Sequence, residues 1–259
     1  MTSKENPVVL REAPKVVGGD VQISAAAQTF LSEARGVAET ERKPPIIRIN
    51  HKEGKFELPG GELAPEVAGY VLYQFQTRSW YKSAYKAGER KPPDCFSTDT
   101  IRPDASSPDP QGSPEGTCAG CPMSAFGTGR DGRSQACATR GWLFLFNSAF
   151  GAPPVAALVA PPSSLSAVYG SRFQAGYLER LKNRHGAYQI VWSVFTLEHH
   201  GEGVEYSTLV PHAGPVLTDA EQLRALAQFH NTFRPALEAM RGKAGEDPTG
   251  AGDQGGEDE

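Results

Sequence analysis

The sequence predicts an α+β fold in which a small β-barrel or a strongly twisted antiparallel sheet carries a cysteine-rich insertion and C-terminal helices. Three observations support this class. Short β-rich runs recur between Pro45 and Val210, 28 glycines and 21 prolines punctuate the chain, and two stretches with helical spacing follow in the C-terminal half. The 259 residues suffice for one large domain, and a hydrophobic content of 39% supplies an ordinary core.

The individual elements follow from local patterns. An apolar residue every fourth position from Leu165 to Leu181 predicts a helix over residues 164–185, and the capping-box pattern Thr218–Glu221 predicts the start of a last helix. β-branched and aromatic runs predict the strands. These strands are Ile46–Ile49, Lys55–Leu58, Glu66–Gln76, Trp142–Phe146, Pro154–Ala160, Tyr188–Leu197 and Val204–Val210.

The predicted organisation has three parts. Residues 1–44 form a mobile polar arm with one helix over Ala25–Ala34, residues 45–243 form a single domain, and residues 244–259 form a disordered tail. The cysteine-rich insertion occupies residues 94–140, where the loop at 103–117 has few apolar residues of its own.

Charge is distributed unevenly along the chain. Six acids and no bases follow Lys243, which leaves 24 of the 30 acids in the rest of the chain, against 26 bases. A slightly basic body with an acidic tail favours a nucleic-acid partner or a tail that contacts other proteins. The N-terminus has no apolar run after its first charges, so we expect a cytoplasmic protein without a membrane partner, in which thiols stay reduced.

Four cysteines form the pattern Cys95-x22-Cys118-x2-Cys121-x15-Cys137. Clustered reduced thiols indicate metal ligands before disulfides. The short spacing predicts a tight knuckle in which Gly120 turns the backbone, and four thiolates complete the tetrahedral set of structural zinc. Two alternatives stay open: an iron–sulfur cluster, which also takes four thiolates, and unligated, disulfide-bonded or redox-active thiols.

Aromatic and basic residues alternate in Tyr70–Phe96. Nucleobases stack on aromatic rings and cations neutralise the intervening phosphates, so this pattern suits single strands, whose bases are free to stack. The alternative is that the rings belong to the core and the cations to a solvated face. The predicted nucleic-acid surface comprises Arg78, Trp80, Tyr81, Lys82, Tyr85, Lys86, Arg90 and Lys91, together with Arg130, Arg133 and Arg140 from the cysteine region.

Residues 127–134 contain the glycine pattern G-x-G-x-x-G. A nucleotide-binding loop of this type needs a preceding strand and a following helix, whereas this segment lies between Cys121 and Cys137. We therefore predict a glycine-rich loop of the cysteine region.

The layout resembles that of phage helix-destabilising proteins of the T4 type, on the basis of Cys95–Cys137, the aromatic–basic run and the acidic stretch Ala244–Glu259. The resemblance implies an OB-like core, a zinc subdomain and an acidic C-terminal tail that recruits replication or repair proteins and competes with DNA for the basic groove. The chain departs from that family in having four cysteines without a histidine ligand, and from bacterial single-stranded DNA-binding proteins in lacking an apolar tip on the tail.

The leading hypothesis is a sequence-tolerant single-stranded DNA-binding protein of a phage or plasmid replicon. The chain shows no nucleophile elbow, no HExxH motif and no convincing pair of carboxylates, which favours a binding protein over an enzyme. Two alternatives remain: an iron–sulfur nucleic-acid enzyme, and a zinc-stapled interaction module acting on the transcription machinery.

Overall fold

The computed structural model describes residues 44–83, 92–130, 132–150, 154–171, 173–201 and 206–243. Residues 1–43, including the helix predicted at 25–34, and the tail 244–259 lie outside these ranges. Within them the chain is α+β, which confirms the predicted class, and it divides into two compact units. The first unit contains the described parts of residues 1–73, 143–158 and 163–234, and the second those of 74–142, 159–162 and 235–259.

The secondary structure is dominated by strands. The strands are β1 (Ile46–Asn50), β2 (Lys55–Glu57), β3 (Leu63–Ala64), β4 (Glu66–Trp80), β5 (Cys95–Ser97), β6 (Cys137–Phe146), β7 (Val155–Ala160), β8 (Gly170–Ser171), β9 (Gln174–Ala175), β10 (Val191–His200) and β11 (Tyr206–Val216). The α-helices are α1 (Leu165–Tyr169), α2 (Tyr177–His185) and α3 (Ala220–Lys243). The predicted strands are therefore present, although β4, β6 and β11 extend beyond their predicted ends, and β3, β5, β8 and β9 were not predicted.

Nine strands form one sheet, in the order β11-β10-β4-β6-β7-β1-β2-β3, with β5 added on β4. β1 pairs with β7 in parallel, whereas β4 pairs with β10 and with β5 in antiparallel fashion. The sheet is therefore mixed rather than wholly antiparallel. The exception is β1, which pairs with its hairpin partner β2 on one side and with β7, more than 100 residues later in the chain, on the other.

The first unit has an apolar core built on the first half of β4. Residues 67–72 of this strand are all buried, as expected for a strand covered on both faces. Trp192 of β10 packs edge-on against Tyr70, with the ring centroids 5.0 Å apart. The fully buried side chains of this unit include Ile47, Phe56, Val67, Val71, Leu72, Leu143, Phe144, Leu145, Leu158, Trp192, Phe195 and Leu209.

The second unit begins in the second half of β4, where buried side chains alternate with half-buried ones. Phe75 and Thr77 are buried, whereas Gln74, Gln76 and Arg78 are only half-buried. The Phe75 ring stacks on Trp142 at 5.9 Å, and Trp142 Nε1 donates a hydrogen bond of 3.1 Å to the Thr77 hydroxyl. Because the indole N–H is buried, this bond removes the cost of leaving a donor unsatisfied.

The prediction of one helix over residues 164–185 is wrong. Helix α1 ends at Tyr169 and is followed by Gly170, whose φ of 96° is positive, and the short β8–β9 hairpin separates it from α2. A Cβ at Gly170 would lie 2.6 Å from the amide nitrogen of Gly176, so only glycine fits this turn. Phe173, one of the residues of the predicted helical stripe, lies between β8 and β9 and is 91% exposed.

The start of α3 also differs in detail from the capping-box prediction. Asp219 Oδ1 accepts hydrogen bonds from the amides of Glu221 and Gln222, at 3.1 and 2.9 Å. Asp219, rather than Thr218, therefore caps the helix. Within the described ranges, no helix is both long and apolar enough to cross a membrane.

Candidate metal centre and nucleic-acid surface

All four cysteines lie in the second unit, and their side chains line one cavity. Cys95 is the first residue of β5, Cys137 is the first residue of β6, and Cys118 and Cys121 flank a turn between them. Each residue is at most 8% exposed, and none forms a disulfide. The cavity is small, with a volume of about 10 Å³.

The knuckle between Cys118 and Cys121 has the predicted form. Gly120 adopts a φ of 71°, and the Cys121 amide donates to the Cys118 carbonyl oxygen over 3.4 Å. The Ser124 amide and hydroxyl both donate to the Cys121 carbonyl oxygen, at 2.9 and 2.7 Å. These bonds fix the backbone on both sides of the turn, so the two sulfurs are positioned by main-chain geometry.

Cys95 receives a direct hydrogen bond at its sulfur. The backbone amide of Gln111 donates to Cys95 Sγ over 3.2 Å. Charge on an acceptor strengthens such a bond, so it favours a thiolate over a thiol. This contact comes from the proline- and serine-rich loop at 103–117, which is ordered by backbone hydrogen bonds such as those from Asp104 to Phe96 and from Asp109 to Asp94.

Burial opposes ionisation of two of the thiols, Cys95 and Cys137. Desolvation raises the pKa of Cys137 to about 12, although the Arg78 guanidinium acts in the opposite direction. Desolvation also raises the pKa of Cys95. Cys95 and Cys137 are therefore harder to ionise than an exposed cysteine would be.

The four thiols line one cavity, but their positions do not form a metal-coordination geometry. In the described part of the chain, no group of three or more histidine, cysteine, aspartate or glutamate side chains has the arrangement of a metal site. A metal assignment therefore depends on the common cavity and on the chemistry of four buried sulfur donors.

Two residues predicted to contact nucleic acid line this cavity instead of lying apart from it. Arg78 Nη1 donates to the Cys118 carbonyl oxygen over 3.0 Å, and Trp80 pairs with Cys95 across the β4–β5 ladder. Both side chains are half-buried. The Nε atom of Arg78 is buried and has no hydrogen-bond partner among the described residues.

The glycine-rich segment forms a closed loop that presents one aromatic ring. Phe126 forms a β-bridge with Gln135, and the Gly132 amide donates to the Gly129 carbonyl oxygen over 2.9 Å at the tip. The strand β6, not a helix, follows, so the nucleotide-loop context is absent here. Phe126 is 82% exposed, and Arg130 and Arg133 are exposed on the same loop.

The remaining residues of the predicted surface are dispersed. Lys82 is exposed and lies 3.4 Å from Asp109 in an ion pair, whereas Tyr81 and Arg140 are half-buried. Tyr85, Lys86, Arg90 and Lys91 belong to the connection between β4 and β5 and lie outside the described residues.

Phe126 is the residue that the sequence reasoning missed. A phenylalanine directly before a glycine-rich turn with two arginines was the available signal, because such a turn leaves little apolar surface to cover the ring.

The chain matches no protein-family model, no curated protein and no solved structure.

Proposed function

We propose that this chain is a zinc-stapled, sequence-tolerant single-stranded DNA-binding protein of a phage or plasmid replicon, acting in the cytoplasm. The observation that carries the proposal is the convergence of four free thiols on one cavity, in the unit that also exposes Phe126, Arg130 and Arg133. The mixed sheet and the small number of helices support the OB-like core that the layout implies.

Zinc is the ion we favour for this donor set. Four sulfur donors suit tetrahedral zinc, and the cytoplasmic setting and the cysteine spacing favour it over an iron–sulfur cluster, which four thiolates can also hold. When bound, zinc supplies four metal–sulfur bonds that tie β5, the knuckle and the start of β6 together. The surrounding segment is rich in proline, serine and glycine, so such bonds offset its shortage of apolar contacts.

The loop carrying Phe126 supplies the features that a single strand requires. An exposed ring offers a stacking platform for an unpaired base of any identity. Arg130 and Arg133 lie four and seven residues further along the same loop and can neutralise neighbouring phosphates. Lys82 of the predicted aromatic–basic segment is also exposed, and a phosphate would compete with Asp109 for its charge. In this proposal, the acidic tail recruits replication or repair proteins.

One experiment on the full-length chain tests both parts. Protein purified without added metal should contain about one zinc ion per chain, and Cys121→Ser should lose it. The same preparation should bind single-stranded oligonucleotides more tightly than duplexes, with an affinity that falls as salt rises.

Less than about a tenth of an equivalent of any metal would refute the metal centre. Iron together with a brown colour would establish the cluster alternative. If single strands are not bound while the tail captures a transcription protein, the interaction module replaces the present proposal.

A further inference from the structure

Arg78 occupies a position that the aromatic–basic pattern of the sequence does not explain. Its backbone pairs with Ser97 of β5, and its side chain lines the cavity formed by the four cysteines. One nitrogen, Nη1, donates to the Cys118 carbonyl oxygen at 3.0 Å, and so holds the backbone of the knuckle. A guanidinium used in this way has fewer donors left for a phosphate.

The charge balance of the cavity gives the guanidinium a second role. Four thiolates around one divalent cation carry a net charge of −2, and a buried negative charge is costly unless a cation compensates for it. Among the residues that the structure describes, Arg78 is the one basic side chain that lines the cavity. Its Nε–H is buried and lacks a hydrogen-bond partner within the described ranges, which is an unusual state for a charged donor. The four cysteine sulfurs are among the acceptors that line the cavity, and a sulfur that carries negative charge is the strongest acceptor for a guanidinium.

We propose that Arg78 is a positioning and charge-compensating residue of the four-cysteine metal centre, and not a phosphate contact. Nη1 holds the Cys118 carbonyl, and the guanidinium offsets part of the negative charge that the thiolates acquire when they bind metal. This inference rests on the proposed metal centre and assigns Arg78 a role within it.

The test uses the full-length, metal-depleted chain titrated with Co²⁺. Bound Co²⁺ shows a sulfur-to-metal charge-transfer absorption, and this band reports ligation by thiolates. Arg78→Met keeps the volume and removes the charge, so the affinity for Co²⁺ should fall by about 10–100-fold, as for other groups that support metal ligands. Arg78→Lys restores the charge but not the planar fork, and should recover part of the loss. Arg102→Met, which removes an exposed arginine of the same unit, is the matched control and should bind Co²⁺ like wild type.

Two further measurements separate the explanations. Melting temperatures of the metal-free variants identify a purely structural defect, which lowers stability without a change in Co²⁺ affinity at temperatures where the protein is folded. Salt dependence of oligonucleotide binding identifies a phosphate contact, because its loss reduces the slope by roughly 0.7 for a single strand.

Equal Co²⁺ affinity of wild type and Arg78→Met overturns the role of Arg78, whether or not stability or the salt slope changes. Failure of the wild-type chain to bind Co²⁺ overturns the metal centre itself, and this inference with it. Weakened Co²⁺ binding, partial recovery in Arg78→Lys and an unchanged salt slope together support the proposal.

Discussion

At the scale of single residues, a substitution of Phe126 can change nucleic-acid binding without changing the stability of the fold. Its ring is 82% exposed, so truncation removes little buried surface. We expect Phe126→Ala to weaken single-strand binding by about 1–3 kcal/mol, since a stacked base is lost, while the salt slope stays constant because no phosphate contact changes. Binding isotherms and melting curves on the same samples provide the measurement.

Phe173→Ala is the matched control for that substitution. Phe173 is 91% exposed, but it belongs to the first unit and to the β8–β9 hairpin. Its removal should leave both affinity and melting temperature unchanged. If both variants bind like wild type, the loop at 126–135 is not the stacking surface.

Residue roles near the cysteines were only partly visible in the sequence. The turn at Gly120 could be predicted, because a left-handed backbone has a direct sequence signal in glycine. The position of Arg78 and Trp80 at the cavity could not be predicted, since β4 was expected to end at Gln76. The strand continues to Trp80 and pairs Trp80 with Cys95, which brings both side chains to the cavity.

At the scale of elements, the close contact of β4 with β6 depends on Gly69. A Cβ at this position would lie 2.7 Å from the Phe146 carbonyl oxygen, which is backbone and has little freedom to move. We expect Gly69→Ala to destabilise the protein by about 1–3 kcal/mol, the usual cost of forcing an extra methyl group into a packed core. Thermal unfolding should show a decrease of roughly 2–4 °C per kcal/mol.

Gly60→Ala is the control for this prediction, because the added methyl group would meet no atom within 4 Å among the described residues beyond its two chain neighbours. It should be neutral or slightly stabilising, since alanine restricts the unfolded chain more than glycine does. An equal decrease in melting temperature for both variants would contradict the steric explanation.

The elements also show where periodicity alone fails as a guide. Strand runs were identified because β-branched and aromatic residues favour a pleated, half-buried surface. The four-residue spacing from Leu165 to Leu181 has the same period as a continuous helix, yet Gly170 and Gly176 allow a hairpin in the middle. Tyr177, the first residue of α2, makes a tertiary contact: its hydroxyl donates a hydrogen bond of 2.9 Å to Ser193 Oγ in strand β10. Such a long-range bond leaves no periodic signal.

At the scale of the whole molecule, the uneven charge of the chain connects the proposed surface with the tail. Residues after Lys243 carry six acids, whereas the rest of the chain carries 26 bases and 24 acids. A chain segment tethered to a cationic surface competes with nucleic acid at a high effective concentration. Competition of this kind acts through charge and is therefore strongest at low salt, where screening is weakest.

Deletion of residues 244–259 should accordingly tighten binding to single-stranded oligonucleotides at low salt and have little effect at high salt. The matched control retains the length of the tail but replaces its six acids with asparagine and glutamine; because charge is the cause, it should behave like the deletion. Affinities of the three proteins across a salt series provide the measurement. If the deletion tightens binding but the neutral tail does not, then chain volume rather than charge is responsible. If neither variant differs from wild type at low salt, the tail does not compete with DNA, and recruitment of protein partners remains its only proposed role.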